Sequence, residues 1–192
     1  MLVEKIFSAL ERIQTSVRAS LTRASHEYGL SPLQTQILQF ILRRESSTVS
    51  QLADQLCVSK PTVSDAIASL LGKKLIKKTV SKYDARGYSI MLTAKGRHDA
   101  LLLAGYAKPV SDSVKTLTEI QKQALWDALL NLMRTMESQD LIPHQRMCFS
   151  CKYFEKRAEG QASYCHLMDK ALSIDELRID CPEHINGAEG GN

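Results

Sequence analysis

A run of short, capped segments near the middle of the chain most constrains its fold. A capping-box pattern at Thr48 opens a short helix, and a three-residue turn, 57–59, leads to a second helix from Lys60. Two strand-like runs, 75–80 and 88–92, follow on either side of a polar loop. Helix, turn, helix and hairpin in this order predict a winged helix-turn-helix with a two-stranded wing.

Long amphipathic helices flank this segment. One is predicted over residues 2–28, and Thr118 with Gln121 opens another that continues to Met136. Each helix has one apolar face, which must pack against a partner subunit or against its own domain. The first apolar stripe consists of Leu2, Ile6, Leu10, Ile13, Val17 and Leu21.

Positive charge is concentrated in one part of the chain. The net charge is +4, but residues 60–97 carry nine Lys or Arg against two Asp, a local balance of +7. A basic block in an otherwise slightly acidic chain indicates a polyanionic partner such as nucleic acid. Charge alone is equally compatible with an ordinary solvated surface.

The start of the second short helix holds candidate DNA contacts. The major groove of B-DNA admits one α-helix, whose N-terminal part reaches the base edges. Short hydroxyls can bond bases or phosphates, a lysine can neutralise a phosphate, and an aspartate can accept from a cytosine amino group. The alternative is that the hydroxyls are only caps and surface groups. The candidates are Ser59, Lys60, Pro61, Thr62, Ser64 and Asp65.

The polar loop of the hairpin, 81–87, carries further candidates. A narrow minor groove concentrates negative potential and favours an inserted arginine, a role suited to Arg86. Asp84 would hold the guanidinium in place, and Lys82 adds a cation. The alternative is an exposed hairpin with an ordinary surface ion pair, which contributes little energy.

Five stretches follow one family pattern: Leu52-Ala53, Val58 to Ser64, Leu75-Ile76, Asp84-Ala85-Arg86 and Leu92 to Gly96. They resemble the multiple antibiotic resistance regulator (MarR) family over residues 30–105. The resemblance implies a homodimer whose terminal helices interlock, so that paired recognition helices read a pseudo-palindromic operator in duplex DNA. The first helix and the helix from Thr118 would form the dimer interface. The resemblance leaves a small-molecule inducer open.

Two positions depart from that family pattern. Members often carry a basic residue after the recognition serine, where this chain has Asp65. They usually carry glycine before the Leu-Ile that enters the wing, where this chain has Lys74. The resemblance therefore implies the docking mode but not the sequence preference.

Four of the five cysteines lie in the last 45 residues, at Cys148, Cys151, Cys165 and Cys181. In a chain that stays in the cytosol, such clustering indicates a metal site before disulfides. Four thiolates suit a tetrahedral zinc ion or an iron–sulfur cluster. The segment is too short to build its own core, so a bound metal would stabilise its fold. Zinc is the expectation and an iron–sulfur cluster the alternative, although the longer spacings match no standard zinc finger.

Other interpretations of this segment are free thiols without metal, or a Cys-x-x-Cys redox pair, which lacks a thioredoxin-like context. If metal or redox state controls the site, it would bias the nearby dimer helix and so regulate DNA binding. Cys57 is expected to be a small buried residue of the turn. Aromatic residues that would shield the site are Phe149, Tyr153, Phe154 and Tyr164, and histidines that would replace a sulfur are His144, His166 and His184.

The sequence therefore predicts a mainly α (α+β) chain that acts as a DNA-binding transcriptional regulator, with repression as the expected direction, and not as an enzyme. A protein-interaction adaptor and a redox protein are the rival functions. Charged residues interrupt the N-terminal apolar segment, and no run approaches the roughly 20 residues of a membrane helix, so a cytoplasmic location without membrane contact is expected. The predicted parts are a dimerisation helix (1–29), a winged helix-turn-helix (30–108), C-terminal dimerisation helices (109–140), a metal module (141–186) and a disordered tail (187–192).

Overall fold

The computed structural model describes residues 1–80, 88–158 and 161–187. Two compact units divide the chain, residues 1–115 and residues 116–192. The first unit has the mainly helical winged-helix architecture that the sequence predicts. Within the described ranges, no helix combines the length and the apolar character needed to cross a lipid bilayer.

Two predicted features fall outside the described residues. The wing loop 81–87 contains Lys82, Asp84 and Arg86, and residues 188–192 make up nearly all of the tail that is expected to be disordered. The predicted roles of these residues stay predictions, as do the bounds of the five predicted parts of the chain.

The first unit contains helices and a small sheet. The helices are α1 (Leu2–Glu27), α2 (Pro32–Arg44), α3 (Val49–Gln55), α4 (Lys60–Gly72), α5 (Ala94–Leu103) and α6 (Lys108–Lys115). The strands are β1 (Ser46–Ser47), β2 (Ile76–Val80) and β3 (Tyr88–Leu92).

Side-chain caps begin four helices of the first unit. Ser31 and Thr48 form complete capping boxes with residues three positions later, at the starts of α2 and α3. Ser59 and Thr93 accept hydrogen bonds from backbone amides at the starts of α4 and α5. Each cap satisfies an amide that has no partner inside the helix, which contributes about 1 kcal/mol.

In the first unit, three helices end in a Schellman-type turn that is closed by a left-handed residue. Gly29 has φ 62° after α1, Cys57 has φ 52° after α3, and Lys74 has φ 58° after α4. The prediction that Cys57 is buried is wrong, because this turn directs its side chain to the surface, where the thiol is exposed.

The sheet has three strands in the order β1-β3-β2, all antiparallel, rather than the two that the sequence predicts. Ser46 pairs with Met91 and Ser47 with Ile90. A two-residue strand has no periodicity of its own, so only its pairing with β3 defines it. This third strand ties the end of α2 to the wing.

One hydrophobic core joins α2, α3, α4, α5 and the base of the wing. The side chain of Gln39, which is buried in this core, donates a hydrogen bond of 2.5 Å to the carbonyl of Ala100. Burial of each large side chain contributes about 1.5–3 kcal/mol. The main buried residues are Leu30, Ile37, Leu38, Phe40, Ile41, Leu52, Val63, Ile67, Leu70, Leu75, Ile76, Ile90 and Leu103.

The chain changes its helix type between β3 and α6. The α-helix α5 ends at Leu103, and a 3₁₀ turn over Ala104–Ala107 precedes α6. Pro109 lies in the first turn of α6, where a missing amide proton costs no helical hydrogen bond.

The second unit consists of α7 (Glu119–Ser138) and a cysteine-rich segment with β4 (Phe154–Glu155), β5 (Ser163–Cys165) and β6 (Lys170–Leu172). The strands form an antiparallel sheet in the order β4-β5-β6. A capping box at Thr118 begins α7, as predicted.

The cysteine-rich segment shares a small core with α7. Leu130 of α7 is 1% exposed and clusters with Cys148, Leu172 and Leu177. The indole of Trp126 donates a 2.8 Å hydrogen bond to the carbonyl of Ile174. The segment is predicted to be too short for a core of its own, and a face of α7 supplies the rest of the core.

Candidate functional site

The N-terminal turns of α4 present one face to solvent. Ser59, Lys60, Pro61, Thr62, Ser64 and Asp65 are all exposed. The opposite face, with Val63, Ala66, Ile67 and Leu70, is buried in the core. The helix spacing therefore brings the six predicted contacts together on one accessible surface, while the same helix is anchored from behind.

Two hydroxyls of this surface are already paired with each other. The Ser59 and Thr62 side-chain oxygens lie 2.8 Å apart, and the Thr62 amide donates to the Ser59 oxygen over 3.3 Å. Ser59 is thus a structural cap, as expected whether or not it also contacts a ligand. The exposed amides at this helix end carry partial positive charge, which suits an anion such as a phosphate.

The turn before α4 fixes where this surface begins. The amide of Cys57 donates to the carbonyl of Asp54 over 3.2 Å, and the amide of Val58 to that of Ala53 over 3.0 Å. Both bonds close the end of α3 immediately before the cap of α4. The path between the two helices is therefore short and defined by backbone hydrogen bonds.

Hydrogen bonds join the base of the wing to the start of α5. The Thr93 amide donates to the Leu75 carbonyl over 3.0 Å, and the Thr93 hydroxyl donates to the Lys74 carbonyl over 2.8 Å. A Cβ atom on Gly96 would lie 1.8 Å from the Leu75 carbonyl oxygen, so only glycine fits there. This close approach fixes the two strands that lead to the loop 81–87, outside the described residues.

The lysines of the basic block do not act alike. Lys77 and Lys78 are exposed on β2, and the Lys78 ammonium lies 4.3 Å from the centre of the Tyr88 ring. Lys73 instead donates to the Gly29 carbonyl over 2.6 Å and to the side chain of Gln34 over 3.2 Å. Lys73 therefore holds the end of α4 against the turn between α1 and α2. The count of nine cations thus overstates the positive charge that is available to a ligand.

In the second unit, all four clustered cysteines line one cavity of about 30 Å³. Tyr153 and Phe154, two of the predicted shielding residues, line it as well. Phe149 packs edge-on against Phe154, with 5.5 Å between ring centres, and Tyr164 is not among the described lining residues. All five cysteines of the chain are free thiols.

Backbone hydrogen bonds bring three separate segments to this cavity. A 3₁₀ turn, Cys148–Ser150, places Cys151 next to Cys148, whose carbonyl accepts from the Cys151 amide over 3.0 Å. Cys165 ends β5 and pairs with Phe154 in β4. The Cys181 amide donates to the Arg146 carbonyl over 3.0 Å.

The environment of Cys148 favours its neutral thiol. Cys148 is 9% exposed, and burial raises the pKa of its thiol above the ordinary value. A hydrogen bond from the Arg178 amide lowers this pKa, whereas the charges of Cys181, Cys151 and Cys165 raise it. The four sulfurs therefore interact electrostatically, and a cation among them would stabilise the thiolates.

The histidines near the segment are engaged elsewhere. His144 lies 2.5 Å from a Glu137 oxygen, His166 lies 2.8 Å from a Glu155 oxygen, and His184 pairs with the Ser150 hydroxyl over 3.0 Å. None of them is among the described residues that line the cavity, so the alternative in which a histidine replaces a sulfur receives no support. In the described ranges, no three His, Cys, Asp or Glu side chains are grouped as ligands of one metal ion.

Sequence reasoning missed Arg178 and Met168. The Arg178 guanidinium lies 4.0 Å from the Cys181 sulfur and 3.9 Å from the Met168 sulfur. Arg178 could have been predicted from its position three residues before Cys181, because a nearby cation stabilises thiolates.

Comparison with known proteins finds one family match, and it lies within the first unit. Residues 28–87 match the model of the MarR family.

This segment is similar to the MarR family over those residues.

Solved structures share the MarR winged-helix fold. Streptococcus pneumoniae FabT in complex with DNA is 24% identical, with a TM-score of 0.62 over 71% of this chain and 99% of that one. A MarR family regulator from Listeria monocytogenes, complexed with 26mer DNA, is 22% identical, with a TM-score of 0.62 over 70% and 91%. A MarR regulator from Methanosarcina mazei Go1 is 20% identical, with a TM-score of 0.59 over 69% and 96%. No curated protein matches the chain.

The structure explains one departure from the MarR pattern. Lys74 occupies the position where MarR members usually carry glycine, and its φ of 58° is the conformation that glycine adopts most easily. The family turn is therefore kept with a residue that is strained there. The MarR structures described above each leave more than a quarter of this chain uncovered.

Proposed function

We propose that this protein is a DNA-binding transcriptional regulator, a repressor that binds a pseudo-palindromic operator as a homodimer. The observation that carries the proposal is the exposed N-terminal face of α4, anchored by a buried opposite face inside a MarR-family winged helix. Two proteins of the same fold, from S. pneumoniae and L. monocytogenes, were solved with DNA, which supports the choice of ligand.

Each part of this surface has a distinct task in the proposal. The α4 N-terminus enters the major groove, where Ser64 and Asp65 face base edges and Lys60 neutralises a phosphate. Lys77 on β2 adds a backbone contact, and Arg86 of the wing loop enters the adjacent minor groove.

A second copy of the chain is the proposed partner of α1. Its apolar stripe is exposed at the N-terminal end, where Ile6 is 50% and Ile13 52% exposed, and becomes buried at Leu21. A helix of 26 residues is about 39 Å long, and only its last part packs on its own unit. A two-fold partner would cover the exposed part and set the spacing between two α4 helices.

Duplexes selected from a random-sequence library by the full-length protein, followed by affinity measurement at several salt concentrations, test DNA binding. We expect affinity to fall steeply with salt, since each phosphate contact contributes a slope of about −0.9. Lys60→Ala and Arg86→Ala should each weaken binding about tenfold, and Lys60→Ala should reduce the slope by about one.

The matched control is Lys115→Ala. This lysine is exposed at the end of α6 and pairs with Asp112 over 2.7 Å, so its replacement removes the same charge away from α4. Unchanged affinity is expected for this variant. The proposed interface would be refuted if no duplex were selected, or if Lys115→Ala lost as much DNA affinity as Lys60→Ala.

The state of the cysteine cavity regulates DNA binding in this proposal. The support is the shared core, because Leu130 of α7 packs with Cys148. Loss of a bound metal would loosen this packing and bias α7, which the family resemblance assigns to the dimer interface. If metal-loaded and chelator-treated protein bound the operator with equal affinity at fixed salt, the cavity would have a structural role only.

A further inference from the structure

The DNA-binding proposal gives the cavity of the second unit a regulatory role but does not say which metal group the cavity holds. Its described lining contains all four clustered cysteines together with apolar side chains from Phe154, Leu167, Met168 and Leu172. The thiols come from three segments that are far apart in sequence, yet backbone hydrogen bonds hold these segments to one another. We propose that this cavity binds an iron–sulfur cluster through Cys148, Cys151, Cys165 and Cys181.

The arrangement of the four cysteines favours a cluster over a single ion, because no three His, Cys, Asp or Glu side chains of the described residues are grouped so that they could hold one metal ion. Four sulfurs held about 2.3 Å from one zinc ion touch one another and leave no void for a water-sized body. The cavity here has a volume of about 30 Å³, whereas one water molecule needs roughly 10–15 Å³ measured in this way. Room for more than one atom among four cysteines matches an inorganic core of iron and sulfide.

The same volume excludes a large organic cofactor, because sites for such molecules measure about 300–1,000 Å³. Zinc is the expectation from the sequence, and spacing alone gives no means of choosing. The volume of the cavity, together with the lack of a ligand group for one ion among the described residues, favours the cluster.

The surroundings also suit a cluster. The amide of Arg178 donates to the Cys148 sulfur over 3.3 Å, and the guanidinium of the same residue lies near Cys181. Hydrogen bonds and positive charge at the sulfurs stabilise thiolates and tune the potential of the iron, while apolar side chains limit access of water. Tyr153 and Phe154 provide two such walls.

Full-length protein purified without oxygen tests the proposal by analysis of iron, acid-labile sulfide and zinc. We expect iron and sulfide in equal amounts, with a broad visible absorption that decreases on reduction by dithionite. Cys165→Ser should lose most of the iron. Cys57→Ser is the matched control and should retain all of it, because Cys57 is an exposed thiol in the other unit.

A second measurement keeps the test decisive if Cys165→Ser fails to fold. Wild-type protein stripped of metal is supplied with iron and sulfide, or with zinc alone, and its thiols are then counted with an alkylating reagent. Cluster assembly should protect four thiols and leave Cys57 reactive. One tightly bound zinc with no uptake of iron and sulfide, or no protection by either supply, would overturn the proposal.

Neither result depends on DNA binding. A protein that assembles the cluster but ignores duplex DNA would refute only the regulatory function, and a DNA-binding protein without iron would refute only the cluster.

Discussion

The backbone amide of Arg178 donates a hydrogen bond to the sulfur of Cys148 over 3.3 Å, and the amide of Cys148 donates to the carbonyl of Arg178 over 3.1 Å. This reciprocal pair joins the Cys-x-x-Cys turn to the segment that carries Cys181. The two partners lie thirty positions apart in the sequence, and the segment between them includes the whole β4-β5-β6 sheet. The pair therefore closes the cysteine-rich segment into a single small structure around the cavity.

Trp126 should stabilise this structure through its indole hydrogen bond to Ile174. Trp126→Phe keeps the aromatic ring but removes the donor, which leaves a carbonyl without its partner. We expect a loss of about 1 kcal/mol in the free energy of unfolding, measured by urea denaturation with circular dichroism. Trp126→Leu should cost more, because it also removes ring packing; equal stability of Trp126→Phe and wild type would show that the hydrogen bond contributes nothing.

Trp126 is also the only tryptophan of the chain, so its fluorescence reports on the second unit. Because Trp126 packs on the core that contains Cys148, removal of a bound metal should change its emission. Chelator treatment of Cys165→Ser should then have little effect. An emission spectrum of wild-type protein that is unchanged by chelation would contradict this coupling.

Gly96 should be intolerant of any side chain. In Gly96→Ala, the new Cβ would overlap the carbonyl oxygen of Leu75, which is backbone and cannot move without displacing the wing. We expect a loss of roughly 1–3 kcal/mol or more in stability, together with weakened DNA binding. Gly105→Ala is the control, because no atom lies within 4 Å of its added Cβ, and it should be close to neutral.

Lys74→Gly should be tolerated or stabilising. The left-handed backbone at Lys74 costs a side chain about 1–2 kcal/mol, part of which glycine recovers despite its greater freedom in the unfolded chain. We expect the free energy of unfolding to rise by up to about 1 kcal/mol in urea denaturation. The reverse change, Gly29→Ala at φ 62°, should lose a similar amount although its Cβ would meet no neighbour. Destabilisation by Lys74→Gly would contradict the assignment of strain.

The exposed part of α1 should control the oligomeric state. The double variant Ile6→Gln with Ile13→Gln removes two apolar side chains from the exposed stripe of α1. The dissociation constant of the proposed dimer should rise at least tenfold. Lys5→Gln with Arg12→Gln has the same spacing on another face of the helix and should leave association unchanged. Sedimentation equilibrium measures both pairs, and a wild-type protein that is monomeric at micromolar concentration would exclude the homodimer.

Local interactions explain which elements could be predicted from the sequence. The caps at Ser31, Thr48, Ser59, Thr93 and Thr118 act within one helical turn, and apolar periodicity determines the buried face of α4. Because such contacts join residues that are close in the chain, their pattern is visible without a fold. The order of helices and strands, and with it the MarR resemblance, follows from them.

The tertiary structure decided what depends on distant partners or on unusual backbone conformations. Strand β1 exists only through its pairing with β3, and Cys57 is exposed because a left-handed turn ends α3. Spacing in the sequence identified four cysteines but not the cavity that they line. Hydrogen bonds between segments, such as those of Cys148 and Arg178, bring the cysteines to that cavity, and no local pattern encodes them.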